Sequence, residues 1–116
     1  MTPTLVMQNK LPYLVVGTPG GTTIPTSVFQ TLVDILEFRM TPNDAVNMPK
    51  FHHQWLPDEI NVEKTFPGSV RTSLEKMGYK ITERSSIGRT EVIKVKSPLI
   101  IEAIADKRGD DSAAGQ

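Results

Sequence analysis

The residues best placed to do chemistry stand in one short stretch, Gly17-Thr18-Pro19-Gly20-Gly21-Thr22-Thr23, between an apolar run and a helix-like segment. A glycine-rich bend that opens a helix suggests an anion site, because free N–H groups and the helix dipole both favour negative charge there. Nucleotide binding is disfavoured by the detail. A P-loop ends in Gly-Lys-Ser/Thr, whereas this chain has Gly20-Gly21-Thr22, and the dinucleotide spacing Gly-x-Gly-x-x-Gly is missing. An oxyanion hole is the second reading. Two consecutive glycines let neighbouring N–H groups point the same way, and a single such donor is worth about 2.7–4 kcal/mol to a developing oxyanion. The third reading is a plain turn in which Gly20 and Gly21 supply positive φ. Local pattern alone favours the turn.

Other candidate groups are scattered. His52 and His53 are adjacent in a segment that reads as extended, so they point to opposite faces and do not share a metal. Packing or hydrogen bonding is the expected role of each. The serines, including Ser27 in the first turn of the expected helix, all lie outside a Gly-x-Ser-x-Gly elbow. Asp58 and Glu59 follow a proline and read as solvated. So does the mixed run Asp106-Lys107-Arg108 with Asp110 and Asp111. These residues do not combine into a nucleophile, a base and a group to orient it.

The elements around the glycine loop are readable in outline. Thr4 to Gln8 and Tyr13 to Gly17 are expected strands joined by an Asn9-Lys10 turn, and the continuous run Tyr13 to Val16 suggests a strand covered on both faces. Pro25 to about Arg39 is an expected helix, with Val28, Leu32, Ile35 and Leu36 at helical spacing and Phe29 and Val33 alongside. That stripe is wide and predicts a mostly buried helix. Thr41, Pro42 and Asp44 form a helix start, closed by Pro49. The segment around His52 is expected to be extended, Ile60 to Glu63 a strand, and Pro67 to Met77 a helix stopped by Gly78. Tyr79 to Glu83, Glu91 to Val95 and Leu99 to Ala105 complete the expected strands. The mixture lacks regular βαβ spacing and predicts an α+β fold.

Composition limits the function classes. The 116 residues suit one domain or part of one, and thirteen basic residues balance thirteen acidic ones. No basic face dominates, which argues against nucleic acid or an anionic membrane as partner. Cysteine is absent, so disulfides, thiolate metal sites and thiol nucleophiles are excluded. The start does not read as a signal peptide, and no apolar run approaches the roughly 18 residues of a membrane span.

Three stretches resemble the small subunit of γ-glutamyltransferase (γ-glutamyltranspeptidase). MTPTLVMQNKLPYLVVGTPGG resembles a family segment ending in Gly-Ser-Pro-Gly-Gly, and NDAVNMPKFHHQWLPDEINVEK is similar to one containing Phe-His and Trp-Leu-Pro-Asp. ADKRGDDSAAG resembles the family's Asp-Pro-Arg and small-residue tail. The match is collinear over essentially the whole chain. It implies an N-terminal-nucleophile hydrolase fold, an αββα sandwich, and a threonyl acyl-enzyme that passes the γ-glutamyl group of glutathione to water or to an amino acid or peptide. The nucleophile would be the N-terminal threonine created by self-cleavage of a precursor. Gly20 and Gly21 take the oxyanion role by residue match, with Thr18 where the family has serine. Glu91 and Lys107 stand where the family usually has glutamine and proline.

The resemblance further implies that residues 1–116 are a C-terminal fragment of the small subunit with 109–116 a flexible tail. The nucleophile, the serine pair and the large-subunit arginine that bind the substrate carboxylate would lie elsewhere. The isolated chain is then expected to be inactive and to self-associate. The native partner would be a large subunit, the compartment periplasmic, secreted or cell-surface, and no metal or organic cofactor is implied. Two alternatives stay open: a related acylase of the same fold acting on glutaryl-type amides, and a noncatalytic binding or assembly module.

Overall fold

The computed structural model describes residues 2–115 and contains seven strands and three helices. Strands β1 (Thr4–Gln8) and β2 (Leu11–Gly17) form a hairpin across Asn9 and Lys10, both at positive φ. Pro12 sits where the register shifts opposite Met7, the kind of irregularity that tolerates a residue lacking N–H. Strands β6 (Glu91–Ser97) and β7 (Ile100–Ile104) complete a four-stranded antiparallel sheet in the order β1-β2-β6-β7. A second sheet has the order β3-β4-β5, from Phe51–His52, Ile60–Glu63 and Ile81–Arg84, with its last pair parallel.

Helix α1 (Ile24–Leu36) follows the glycine loop through a short 3-10 turn, Gly21–Thr23. It is shorter than the sequence suggests, and the chain leaves it at Arg39 with φ 57°. Helix α2 (Pro42–Asn47) begins as expected: the Asp44 amide donates to Thr41 Oγ1, and the Thr41 hydroxyl donates to the Asp44 carboxylate. Helix α3 (Gly68–Lys76) ends before Gly78, whose φ is 95°.

Leu14, Val16 and Val92 from the larger sheet pack with Val28, Ile35, Ala45 and Val46 from α1 and α2. Each such large aliphatic side chain contributes about 1.5–3 kcal/mol by leaving water. The buried side of α1 is more polar than expected, since Ser27, Gln30 and Thr31 are buried while Phe29 is 62% exposed. Gln30 lies there because it is fully engaged: its amide donates to the Thr26 and Phe51 carbonyls, and its oxygen accepts from the Phe51 amide. The segment around His52 is likewise less extended than expected, with a strand over Phe51–His52 alone and Trp55 at φ 75°.

Helices α1 and α2 cover one face of the larger sheet, while α3 lies against β5 of the smaller one. Leu5, Val15, Ile93 and Ala103 are successive cross-strand partners and share the other face. Leu5 is 55% exposed there, and Ile93 and Ile101 are exposed as well. Strand β2 is therefore apolar on both faces, as its sequence suggests, but this chain's helices bury one of them.

Candidate functional site

Backbone geometry aims the glycine loop. Gly20 has φ 138°, a conformation that L side chains rarely adopt. Its carbonyl accepts from the Thr23 amide at 3.2 Å and from Thr23 Oγ1 at 2.9 Å. In a trans peptide the C=O and the following N–H point in opposite directions. Holding the Gly20 carbonyl against Thr23 therefore turns the Gly21 N–H away from the helix start. No group among the described residues accepts the N–H of Gly20 or Gly21, and both glycines are exposed. The pair thus offers two backbone donors to something outside the loop.

The two positions differ in what they tolerate. A Cβ on Gly20 would lie 2.5 Å from Thr23 Oγ1, the atom that fixes the loop. A Cβ on Gly21 would meet nothing within 4 Å, so its cost comes from φ 59° alone.

A second loop, residues 85–90, is clamped onto the first. The Arg89 amide donates to Thr18 Oγ1 at 2.7 Å, and the Thr18 hydroxyl donates to the Pro19 carbonyl at 2.7 Å. Threonine at position 18 keeps the hydroxyl that this double duty needs. Gly88 sits over α1 with φ 71°, and a Cβ there would come within 2.5 Å of Ser27 Oγ. The Ile87 amide donates to Glu63 Oε1 and the Thr90 amide to Asp106 Oδ2. Between the loops opens a cleft of about 470 Å³ lined by Pro19, Gly20, Thr23, Arg84, Ser86, Gly88, Arg89 and Arg108. A volume of that size suits a small ligand.

The cleft floor rests on a buried ionic cluster. Arg108 grips Glu63 with two parallel bonds, Nε to Oε1 and Nη2 to Oε2, both 2.6 Å. Its Nη1 reaches Asp106 at 3.0 Å, and its remaining donors meet the Val46 and Met48 carbonyls. Asp106 is 1% exposed, so the run 106–111 is no simple solvated surface. Asp106 is buried because it caps the Thr90 and Arg108 amides. Burial works to raise the Glu63 carboxyl, but bonds from Arg108 and from the Lys50 and Ile87 amides hold it below its ordinary value. Lys50, 1% exposed, donates to the Ala45 carbonyl in the last turn of α2. Burial, reinforced by the Arg108 charge, lowers its ammonium to about 8.

The histidines take the expected hydrogen-bonding roles on opposite sides. His52 is buried between Thr26 Oγ1 at 2.8 Å and Gln54 Oε1 at 3.0 Å, while His53 meets Asp58 at 3.2 Å. Asp58 is solvated, but Glu59 bonds Lys80 and Thr82. Sequence reasoning missed Arg84, Ser86, Gly88 and Arg89. The signal was Gly88 within Ser-Ser-Ile-Gly-Arg-Thr, a second glycine bend that is legible as a turn but not as a neighbour of the first.

Comparison with known proteins places the chain in a family. The family profile described as gamma-glutamyltranspeptidase matches residues 1–116. The chain belongs to the gamma-glutamyltranspeptidase family. It is 39% identical over 116 residues to the glutathione hydrolase proenzyme of Escherichia coli, covering 99% of this chain and 20% of that protein. The Bacillus subtilis glutathione hydrolase proenzyme is 32% identical over 117 residues, with the same two coverages. The chain thus spans about a fifth of the length of these relatives.

Solved gamma-glutamyltranspeptidases superpose closely. A threonine-to-alanine mutant of the Helicobacter pylori enzyme gives a TM-score of 0.88 at 37% identity, over 94% of this chain and 61% of the other. The Pseudomonas nitroreducens enzyme complexed with L-DON gives 0.91 at 32%, over 100% and 62%. The Bacillus anthracis transpeptidase CapD shares the fold, with a TM-score of 0.81 at 19% identity. The α+β arrangement is that of these N-terminal-nucleophile hydrolases, and the Escherichia coli and Helicobacter pylori relatives carry the names glutathione hydrolase and gamma-glutamyltranspeptidase.

Proposed function

We propose that this chain supplies the oxyanion-binding part of a γ-glutamyl transfer site, with Gly20 and Gly21 as the backbone donors. The observation that carries the reading is the tie from Thr23 to the Gly20 carbonyl, which turns the Gly21 N–H outward, where it has no acceptor among the described residues. The substrate class follows from the relatives, which are named glutathione hydrolases. A threonine hydroxyl, its proton taken by that threonine's own α-amine, attacks the γ-glutamyl amide carbon, and the carbonyl oxygen becomes an oxyanion against the two N–H groups. Collapse expels the leaving amine, to which the α-amine hands that proton, and water or an amino acid or peptide then accepts the γ-glutamyl group.

The attacking threonine belongs, in this reading, to the part of the family's length that residues 1–116 do not span. A large subunit and the remaining small-subunit segment are the native partners, and the setting is periplasmic, secreted or at the cell surface. No described helix is long and apolar enough to cross a membrane.

Turnover of a γ-glutamyl anilide by the natural gene product tests the reading. Gly20→Ala keeps the N–H but sets a Cβ 2.5 Å from Thr23 Oγ1 at an unfavourable φ, so the loop must shift and misaim its donors. Its kcat is expected to fall, by at most the roughly 10²–10³ that loss of a whole donor costs. Undiminished kcat in that variant would remove Gly20 from the site, and an inert gene product would remove the γ-glutamyl assignment.

A further inference from the structure

The cleft beside Gly20 has a charge pattern that an oxyanion hole does not need. Three guanidinium groups line it, and they are partnered unequally. Arg108 is neutralised by Glu63 and Asp106. Arg84, at the end of β5, forms no ion pair among the described residues and is exposed at the cleft. Arg89 is held through one atom: its Nε donates to Asp111 Oδ2 at 2.9 Å. Asp110 adds a looser ion pair to Nη1 at 3.6 Å, beyond hydrogen-bond distance and almost fully solvent-exposed, so neither Nη makes a hydrogen bond among the described residues.

The Arg89 side chain is also braced from behind. Gly109 packs so closely that a Cβ there would approach Arg89 Cδ to 2.2 Å. The turn that places Gly109 is held by a hydrogen bond that its N–H donates to the Asp106 carbonyl at 3.3 Å. The backbone of Arg89 is bound to Thr18 of the glycine loop. A guanidinium fixed at Nε, whose Nη donors make no hydrogen bond among the described residues, beside a second guanidinium with no ion pair among them, is a preorganised receptor for a planar carboxylate that displaces the loose Asp110 contact.

We propose that Arg84 and Arg89 form a subsite for the carboxylate of the peptide-like part of the substrate, the leaving group or acceptor that extends from the reacting carbonyl at Gly20. Asp111 is a positioning residue that presents Arg89. The inference rests on the γ-glutamyl reading and adds the side of the substrate away from the glutamyl group.

The test compares two donors on the natural gene product: glutathione, whose leaving group carries a carboxylate, and γ-glutamyl-p-nitroanilide, whose leaving group carries none. The ratio of their kcat/KM values is expected to fall about tenfold in Arg84→Gln and in Arg89→Gln, the loss of one charge-assisted hydrogen bond to the carboxylate. The loss should lie mainly in KM for glutathione, and Arg89→Lys should recover part of it. Lys76→Gln, at the far end of α3, should leave the ratio unchanged. An unchanged ratio in both arginine variants, or an equal fall in Lys76→Gln, overturns the subsite and leaves the γ-glutamyl reading standing. A wild-type product inert toward both donors overturns the two together.

Discussion

Thr23 Oγ1 lies 2.9 Å from the Gly20 carbonyl oxygen, and together with the Thr23 amide at 3.2 Å it sets the direction of the loop's outward N–H. Removing the hydroxyl while keeping the shape, as in Thr23→Val, leaves only the hydrogen bond from the residue 23 N–H to hold the carbonyl. In the natural gene product kcat for a γ-glutamyl anilide should fall about tenfold, less than loss of a whole oxyanion donor. Steady-state kinetics check this, and a change confined to KM would mean that the bond does not aim the donor.

Gly20 and Gly21 should respond differently to the same methyl group. Gly20→Ala meets both an unfavourable φ and the Thr23 hydroxyl at 2.5 Å, whereas Gly21→Ala meets φ strain alone, about 1–2 kcal/mol. Circular dichroism melts should therefore show the larger loss for Gly20→Ala. Equal losses would contradict the geometry of the loop.

The Glu63–Arg108 pair joins β4 to the C-terminal turn and leaves little room for water, with side chains 6% and 13% exposed. Breaking it from one side strands the partner, so Arg108→Met should destabilise by about 3–5 kcal/mol. The double variant Glu63→Gln with Arg108→Met should be less destabilised than the sum of the two single variants. The glutamine removes the stranded charge, and its oxygen can still accept from one of the Lys50 and Ile87 amides. Urea unfolding of the wild type, both single variants and the double variant measures the coupling directly.

The same cluster fixes two pH windows. Glu63 titrates below its ordinary 4.5 when folded, so its stabilisation is complete above that value and is lost as pH falls through the lower, folded one. Lys50 has the opposite history. Its folded value of about 8 lies under the ordinary 10.5, so the unfolded chain binds more protons between them and stability rises with pH across that interval. Glu63→Gln should flatten the acid limb of the urea midpoint and Lys50→Met the alkaline one.

What was legible in the sequence was local. The Thr41 cap, the Asn9-Lys10 hairpin and the Gly78 stop each act within a few residues, and each is present. The site was legible by half. The glycine pair can be read from its own stretch, but Arg89 reaches Thr18 across 71 residues and Arg108 reaches Glu63 across 45. Side-chain pairing at that separation leaves no period or spacing to read. Polar burial misled in the same way, because Gln30 and Asp106 look solvent-facing until their backbone partners are in place.

The open face of the larger sheet gives a prediction about assembly. Leu5, Ile93 and Ile101 form an exposed apolar surface, and such faces promote association. The isolated 12.8 kDa chain should scatter light as oligomers at high concentration, and Ile93→Lys should shift it toward the monomer mass. A clean monomer of the unmodified chain would count against this reading.

The most direct test of the central claim uses the isolated chain and a γ-glutamyl anilide. If Gly20 and Gly21 are oxyanion donors whose nucleophile lies outside residues 1–116, purified chain releases no aniline above buffer. Turnover by the isolated chain that Gly20→Ala abolishes would show that a nucleophile is present within it, and would contradict the account.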